Sequence, residues 1–277
     1  MFKKAAMRDG PLLTYALIIA CCLLFLASPA AGLAPPDGER IELVRAREDY
    51  FARWGVVPAR WADDLPRAAL APLTALFVHG SWPHLLGNML FLQVFGTLAE
   101  ARMGRPRFLL CYLVTGYLAL AGFALAYADS PQPLVGASGA ISGVLGAFLV
   151  LLPRARVTSL LPFLFFLPLR FPAWLVLPFW CALQWLAARH GGPRPGVAYL
   201  AHLIGFGIGF LYALALPRGR PDPGAGGAPA GEETGARTRA NADAGAGLGA
   251  GTDPGAGARA AAKVKGPVQA SEGDSQP

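Results

Sequence analysis

Apolar residues gather in six stretches, roughly 12–28, 84–99, 108–127, 138–152, 173–188 and 197–216. Several lie near the short end of the roughly 17–25 residues that a membrane-crossing helix needs. None carries Asp, Glu, Lys or Arg at its centre, where each would cost about 2.5–3.5 kcal/mol on insertion. The pattern therefore predicts an all-α membrane protein, a bundle of six transmembrane helices spanning 12–216. A seventh run, 160–169, is broken by Pro162 and Pro168 and followed by Arg170 and Pro172. It is too short to span and reads as an interfacial or re-entrant piece leading into the fifth helix.

Two polar regions complete the layout. The long first loop, 29–83, mixes both charge signs with Trp54, Trp61 and Trp82, which suit a membrane interface. From 217 to 277 the sequence turns to Gly, Ala, Pro and scattered charge with no aromatic residue. Such a segment buries too little apolar surface to offset its ordering entropy, so a disordered tail is expected.

Charge sets the orientation. Lys3, Lys4 and Arg8 precede the first helix; Arg102, Arg105 and Arg107 follow the second, Arg154 and Arg156 the fourth, and Arg218 and Arg220 the sixth. The stretch 129–135 has no basic residue. Basic short loops stay on the cytoplasmic side, which puts the N-terminal residues 1–11 and the C-terminal tail there. Arg189 and Arg194 run against this rule. Small residues after Leu26 give the first helix a competing reading as a signal peptide, but its apolar core exceeds the roughly 7–15 residues usual there, and retention is expected.

Composition agrees. The chain is 54% hydrophobic and 15% charged, against about 25% charged in soluble domains. Its net charge of +7 sits beside apolar runs rather than in one stripe, so no nucleic acid partner is expected. Cys21 and Cys22 are adjacent, and Cys111 and Cys181 fall in apolar runs, so no disulfide framework is read.

Polar residues inside a membrane are costly, and each is a functional candidate by default. Here they are His84, Asn88, Gln93, Ser138, Ser142, Gln184 and His202. With the orientation above, His84 and Asn88 lie in the first two turns of the second helix. Ser138 lies in the first turn of the fourth, and His202 one to two turns into the sixth. These four share one depth near the outer face; Gln93 and Gln184 lie deeper or on the opposite side. Hydroxyl, imidazole and amide groups at one depth suit acyl transfer. A serine attacks a carbonyl once a histidine takes its proton, and an amide and a second imidazole can stabilise the oxyanion. Asp129 sits on the same side but in a loop, so a Ser–His dyad is expected rather than a triad. No acid or Cys lies near His202 at ligand spacing, and no metal is expected. Ser142 is a rival nucleophile, but one turn deeper it reads as a residue that packs or bonds back to a carbonyl, and His190 reads as a solvated loop residue. Gly139, Gly143 and Gly146 on the fourth helix, with Gly205 and Gly209 on the sixth, form small-residue stripes that permit close packing.

At these positions the chain resembles the rhomboid proteases. His84-Leu-Leu-Gly-Asn88 opens the second helix, Gly136-Ala-Ser-Gly139 the fourth, and Ala201-His202-Leu-Ile-Gly205 lies in the sixth, with Gly209 continuing a Gly-xxx-Gly pattern. Phe77-Val-His79 resembles the family's lead into the second helix, and Gly96, Glu100 and Gly104 the turn that leaves it. The resemblance covers about 12–216. It implies Ser138 as nucleophile and His202 as general base, with an oxyanion hole from His84, Asn88 and the Ser138 N–H. It further implies cleavage of transmembrane segments of other proteins near the outer membrane face, with no cofactor. Two departures stand out. Many relatives carry an aromatic residue four positions after the nucleophile, packed on the catalytic His, where this chain has Ser142; Tyr199 is a candidate substitute. A Trp-Arg pair of the first loop is replaced near Leu70-Ala71, with Arg67 the nearest basic residue. The alternatives are a non-proteolytic relative that binds transmembrane clients, which the intact Ser, His and Asn set disfavours, and a small-solute transporter, for which no inverted repeat is visible. Ala-, Gly- and Arg-rich usage points to a bacterial plasma membrane.

Overall fold

The computed structural model describes residues 10–33, 40–61, 63–161, 167–191 and 198–217. The N-terminal segment up to residue 9 and the tail beyond Pro217 lie outside them. A helix, α1 (Leu12–Leu26), opens the fold. The first loop holds two more, α2 (Arg40–Trp54) and α3 (Leu65–Ala75), which its mixed charge and its prolines hid from the apolar pattern. In α3 the Asp64 side chain caps the Arg67 N–H at 3.2 Å, and Pro66 fits the first turn, where no N–H is needed.

The second apolar stretch is a continuous rod. α4 (Trp82–Phe91) passes through a π-helical turn (Leu92–Gly96) into α5 (Thr97–Met103), with right-handed helical backbone at both junctions. Gly104, at φ +78°, ends it in a conformation suited to glycine, and α6 (Arg105–Ala126) follows. α7 (Ser138–Leu151) is enclosed on nearly every side, since every residue from Gly139 to Phe148 is buried. Among the described residues α6 alone is a single helix long and apolar enough to cross a membrane; α1, α7 and the last helix are apolar but shorter.

After α7 the chain forms an antiparallel hairpin, β1 (Arg156–Leu161) with β2 (Leu167–Pro172), in register from Arg156 opposite Pro172 to Leu161 opposite Leu167. The run 160–169, expected as an interfacial or re-entrant piece, thus contributes strand residues whose backbone groups pair with each other. Residues 162–166 lie outside the described set. α8 (Ala173–Gly191) and α9 (Tyr199–Ala215) complete the fold. α8 is longer than its apolar pattern and takes in His190, which is not a loop residue: its Nδ1 lies 2.9 Å from the Leu186 carbonyl on the exposed last turn.

Two devices hold the helices together. The first is Glu100, only 3% exposed. Its carboxylate accepts from the Leu13 N–H at 3.1 Å, the Thr14 N–H at 2.8 Å and the Thr14 hydroxyl at 2.7 Å. α1 has no cap of its own, and a carboxylate at a helix N-terminus meets both its orphan donors and its positive dipole end. The second is the glycine seam between α7 and α9. A Cβ on Gly205 would collide with the Gly139 carbonyl, one on Gly209 with the Gly143 carbonyl, and one on Gly146 with the Phe206 carbonyl. Backbone therefore touches backbone along this seam, the close approach that small residues permit in membrane bundles.

Candidate active site

Ser138 is the first residue of α7, and its placement depends on the first loop. The approach to it, 134–136, is hydrogen-bonded to that loop at two points. Val56 and Leu134 exchange backbone bonds of 3.0 and 2.7 Å, and the Gly136 N–H donates to the Ala75 carbonyl at 2.8 Å. Gly55 is required for this approach, since a Cβ there would stand 2.8 Å from the Leu134 carbonyl. Gly136 itself holds φ +124°, a region open to glycine, and turns the chain into α7.

His84 and Asn88 meet this turn from α4. Ser81 caps α4 by accepting from the His84 N–H at 3.3 Å, which fixes His84 in the first turn. A Cβ on Gly136 would lie 2.7 Å from His84 Nε2 and 3.7 Å from Asn88 Nδ2. Both nitrogens thus face the peptide that leads into Ser138. Asn88 is buried, and among the described residues its Nδ2 has no protein hydrogen-bond partner. His84 Nδ1 accepts a long bond, 3.5 Å, from the Gly80 N–H, which leaves the proton on Nε2.

His202 sits in the first turn of α9. It lies three residues before Gly205, which contacts the backbone of Gly139, the residue after Ser138. The structure thus brings the segments bearing Ser138, His84, Asn88 and His202 to one region. Gln184, expected deeper or on the opposite side, is here too: its Oε1 lies 2.8 Å from His202 Nδ1. Counting residues from a helix end gives depth but no azimuth, and packing turns this face of α8 towards α9. Two aromatic rings flank His202. Trp180 lies at 6.1 Å between ring centroids, tilted by 30°, and Tyr199 at 6.4 Å edge-on. Trp180 was legible in sequence only as an apolar position.

The other candidates make different contacts. Ser142 is buried and its hydroxyl donates to the Ser138 carbonyl at 2.7 Å. Gln93 Nε2 reaches the Tyr15 hydroxyl at 3.4 Å on an exposed face. Asp129 is exposed on the turn after α6. Among the described residues no group of three or more His, Cys, Asp or Glu side chains could hold a metal ion.

Behind His84 stands His79, in the loop ahead of α4, 1% exposed and 5.3 Å from the His84 ring. Burial, then the neighbouring His84, lowers its pKa to about 4, while a contact with the Phe77 carbonyl opposes the shift. The unfolded chain takes up this proton near pH 6.5 and the folded one only near 4, so acid favours unfolding across that window. His79 is thus expected to contribute stability in full above pH 6.5 that is lost as the pH falls to 4. The contribution is on the order of 3 kcal/mol at 1.36 kcal/mol per unit. Thermal unfolding of wild type and His79→Gln from pH 7 to 4 checks this: wild type loses more, and parallel profiles would refute the assignment.

Comparison with known proteins gives this geometry a context. The family model of the Rhomboid domain matches residues 67–219. The chain is 33% identical over 156 residues to Rhomboid protein 1, mitochondrial, of Saccharomyces cerevisiae, covering 54% of this chain and 42% of that protein. It is 44% identical over 77 residues to Rhomboid protease GluP of Bacillus subtilis, covering 28% and 15%. It is 40% identical over 74 residues to Rhomboid-like protein 11, chloroplastic, of Arabidopsis thaliana, covering 26% and 25%. Each match spans less than half of the relative's length. The family model takes in more than half of the 277 residues, from α3 through α9, and on that ground the chain belongs to the rhomboid family of multi-pass membrane proteins.

Proposed function

We propose that this protein is an intramembrane serine endopeptidase that cleaves transmembrane segments of other membrane proteins near the outer face of a bacterial plasma membrane. In this reading six spans put both termini in the cytoplasm. Ser138 is the nucleophile and His202 its general base. The observation that carries the proposal is the convergence at Gly136: two nitrogens from α4, His84 Nε2 and Asn88 Nδ2, face the peptide that leads into Ser138. One of them, Asn88 Nδ2, is buried without a protein acceptor among the described residues. A buried unpaired donor is costly, and it is repaid where charge develops on an oxygen during reaction.

The chemistry follows from these positions. Ser138 Oγ attacks the scissile carbonyl as His202 Nε2 takes its proton. The carbonyl oxygen becomes an oxyanion that receives hydrogen bonds from Asn88 Nδ2, His84 Nε2 and the Ser138 N–H. Collapse of the tetrahedral species expels the amine, to which His202 returns the proton. Water then repeats the sequence on the acyl-enzyme. A fluorophosphonate probe tests the dyad directly. It is expected to label Ser138 and to need His202 for doing so; a His202→Ala protein labelled at the wild-type rate would sink the assignment.

A further inference from the structure

The hydrogen bond between His202 Nδ1 and Gln184 Oε1, 2.8 Å long, has no role in the dyad described above. The geometry points to Gln184 as the positioning residue of His202, holding the imidazole in the tautomer that can act as a base. This rests on the reading of Ser138 and His202 as the reacting pair.

The amide oxygen of Gln184 can only accept, so the nitrogen facing it, Nδ1, carries the proton. Nε2 is then the nitrogen with the lone pair, the form a general base requires. When Ser138 gives its proton to Nε2, the Nδ1 proton stays in place and the amide carbonyl dipole faces the imidazolium. No bond to Gln184 forms or breaks. In soluble serine hydrolases a carboxylate holds this position. A carboxylate would bring a charge into the membrane, where ionisable groups are expensive. A glutamine supplies the orientation without the charge.

The surroundings support a fixed ring. Trp180 and Gln184 are four residues apart and so share one face of α8. From that face the Trp180 ring lies beside His202 while Gln184 holds its edge. Ser142 on α7 turns its hydroxyl back to the Ser138 carbonyl. The base is thus flanked by Trp180 and Gln184 of α8 and by Tyr199 of α9.

The test compares Gln184→Met, which keeps the length and loses the acceptor, with Gln184→Glu, which presents an oxygen acceptor in either protonation state. For Gln184→Met, kcat on a transmembrane substrate is expected to fall about ten-fold, the worth of one hydrogen bond. KM should stay within about two-fold, since no substrate contact is lost. Ser138 labelling by fluorophosphonate should slow in proportion, and Gln184→Glu should restore most of kcat. Nitrogen NMR of ¹⁵N-histidine-labelled wild type, with His202 assigned by its loss in His202→Gln, should show the proton on Nδ1. A Gln184→Met enzyme with wild-type kcat, or a wild-type His202 protonated on Nε2, overturns the proposal. If Gln184→Met does not fold, the wild-type tautomer decides. Activity surviving in Ser138→Ala would defeat the functional reading instead, while the tautomer still reports on the Gln184 bond.

Discussion

Ser138→Ala is expected to stop cleavage of a reconstituted transmembrane substrate and to leave the melting temperature nearly unchanged. Loss of the nucleophile in a serine hydrolase costs on the order of 10⁶ in kcat, because the hydroxyl is the reacting atom rather than a helper. Stability should hold for a reason visible at this position. Among the described residues the Ser138 hydroxyl donates to no protein acceptor, and the carbonyl that receives the Ser142 hydroxyl belongs to the backbone and survives the change. Ser142→Ala is the matched control. It removes that 2.7 Å bond from a buried site, so it should lower stability somewhat and keep most activity. Cleavage and thermal unfolding measured on both variants separate the two serines, and a dead Ser142→Ala beside an active Ser138→Ala would reverse their roles.

Asn88→Ala is expected to lower kcat by about 10²–10³, equivalent to roughly 2.7–4 kcal/mol, the usual loss of one preorganised oxyanion donor. The Ser138 N–H and His84 Nε2 remain, so the variant should be slow rather than inert. A structural role would look different. An interhelical hydrogen bond in a membrane bundle is worth about 0.6 kcal/mol on average and shows in the melting temperature. Among the described residues Asn88 Nδ2 makes no protein hydrogen bond to lose, so the melting temperature should change little. Normal kcat with a lowered melting temperature would defeat the oxyanion role.

The six apolar stretches all carry helices, because long uncharged runs leave the backbone few other ways to pair its polar groups in a bilayer. Their ends moved where local chemistry overrode hydropathy. Ser81 and Pro83 start α4 ahead of His84, and α5 runs on to Met103 through Glu100 and Arg102. What stayed hidden was set by tertiary contact. Of the helices in the first loop, α2 is polar, and α3, though mostly apolar, contains two prolines, so neither periodicity nor composition marked them. That loop nevertheless holds the approach to Ser138 through Val56 and Ala75. The motifs marked Ser138, His84, Asn88 and His202 as candidates, but Gln184 and Trp180 belong to no motif. Their relation to His202 depends on the rotation of α8, which no spacing along the chain encodes.

The glycine seam has a mechanical consequence. Contacts between side chains have rotamers and can yield by small repacking, so the separation of two helices joined that way drifts with temperature and with substitutions nearby. Along the α7–α9 seam the touching atoms are carbonyls and α-carbons, which have no rotamers to exchange. Ser138 and His202 are each mounted within a turn of that contact, Ser138 beside Gly139 and His202 three residues ahead of Gly205. A looser or tighter bundle elsewhere therefore carries the two residues along as one body. The same stiffness removes any tolerance at the seam itself: one added methyl group meets main chain that cannot step aside, so the helices can part but cannot adjust.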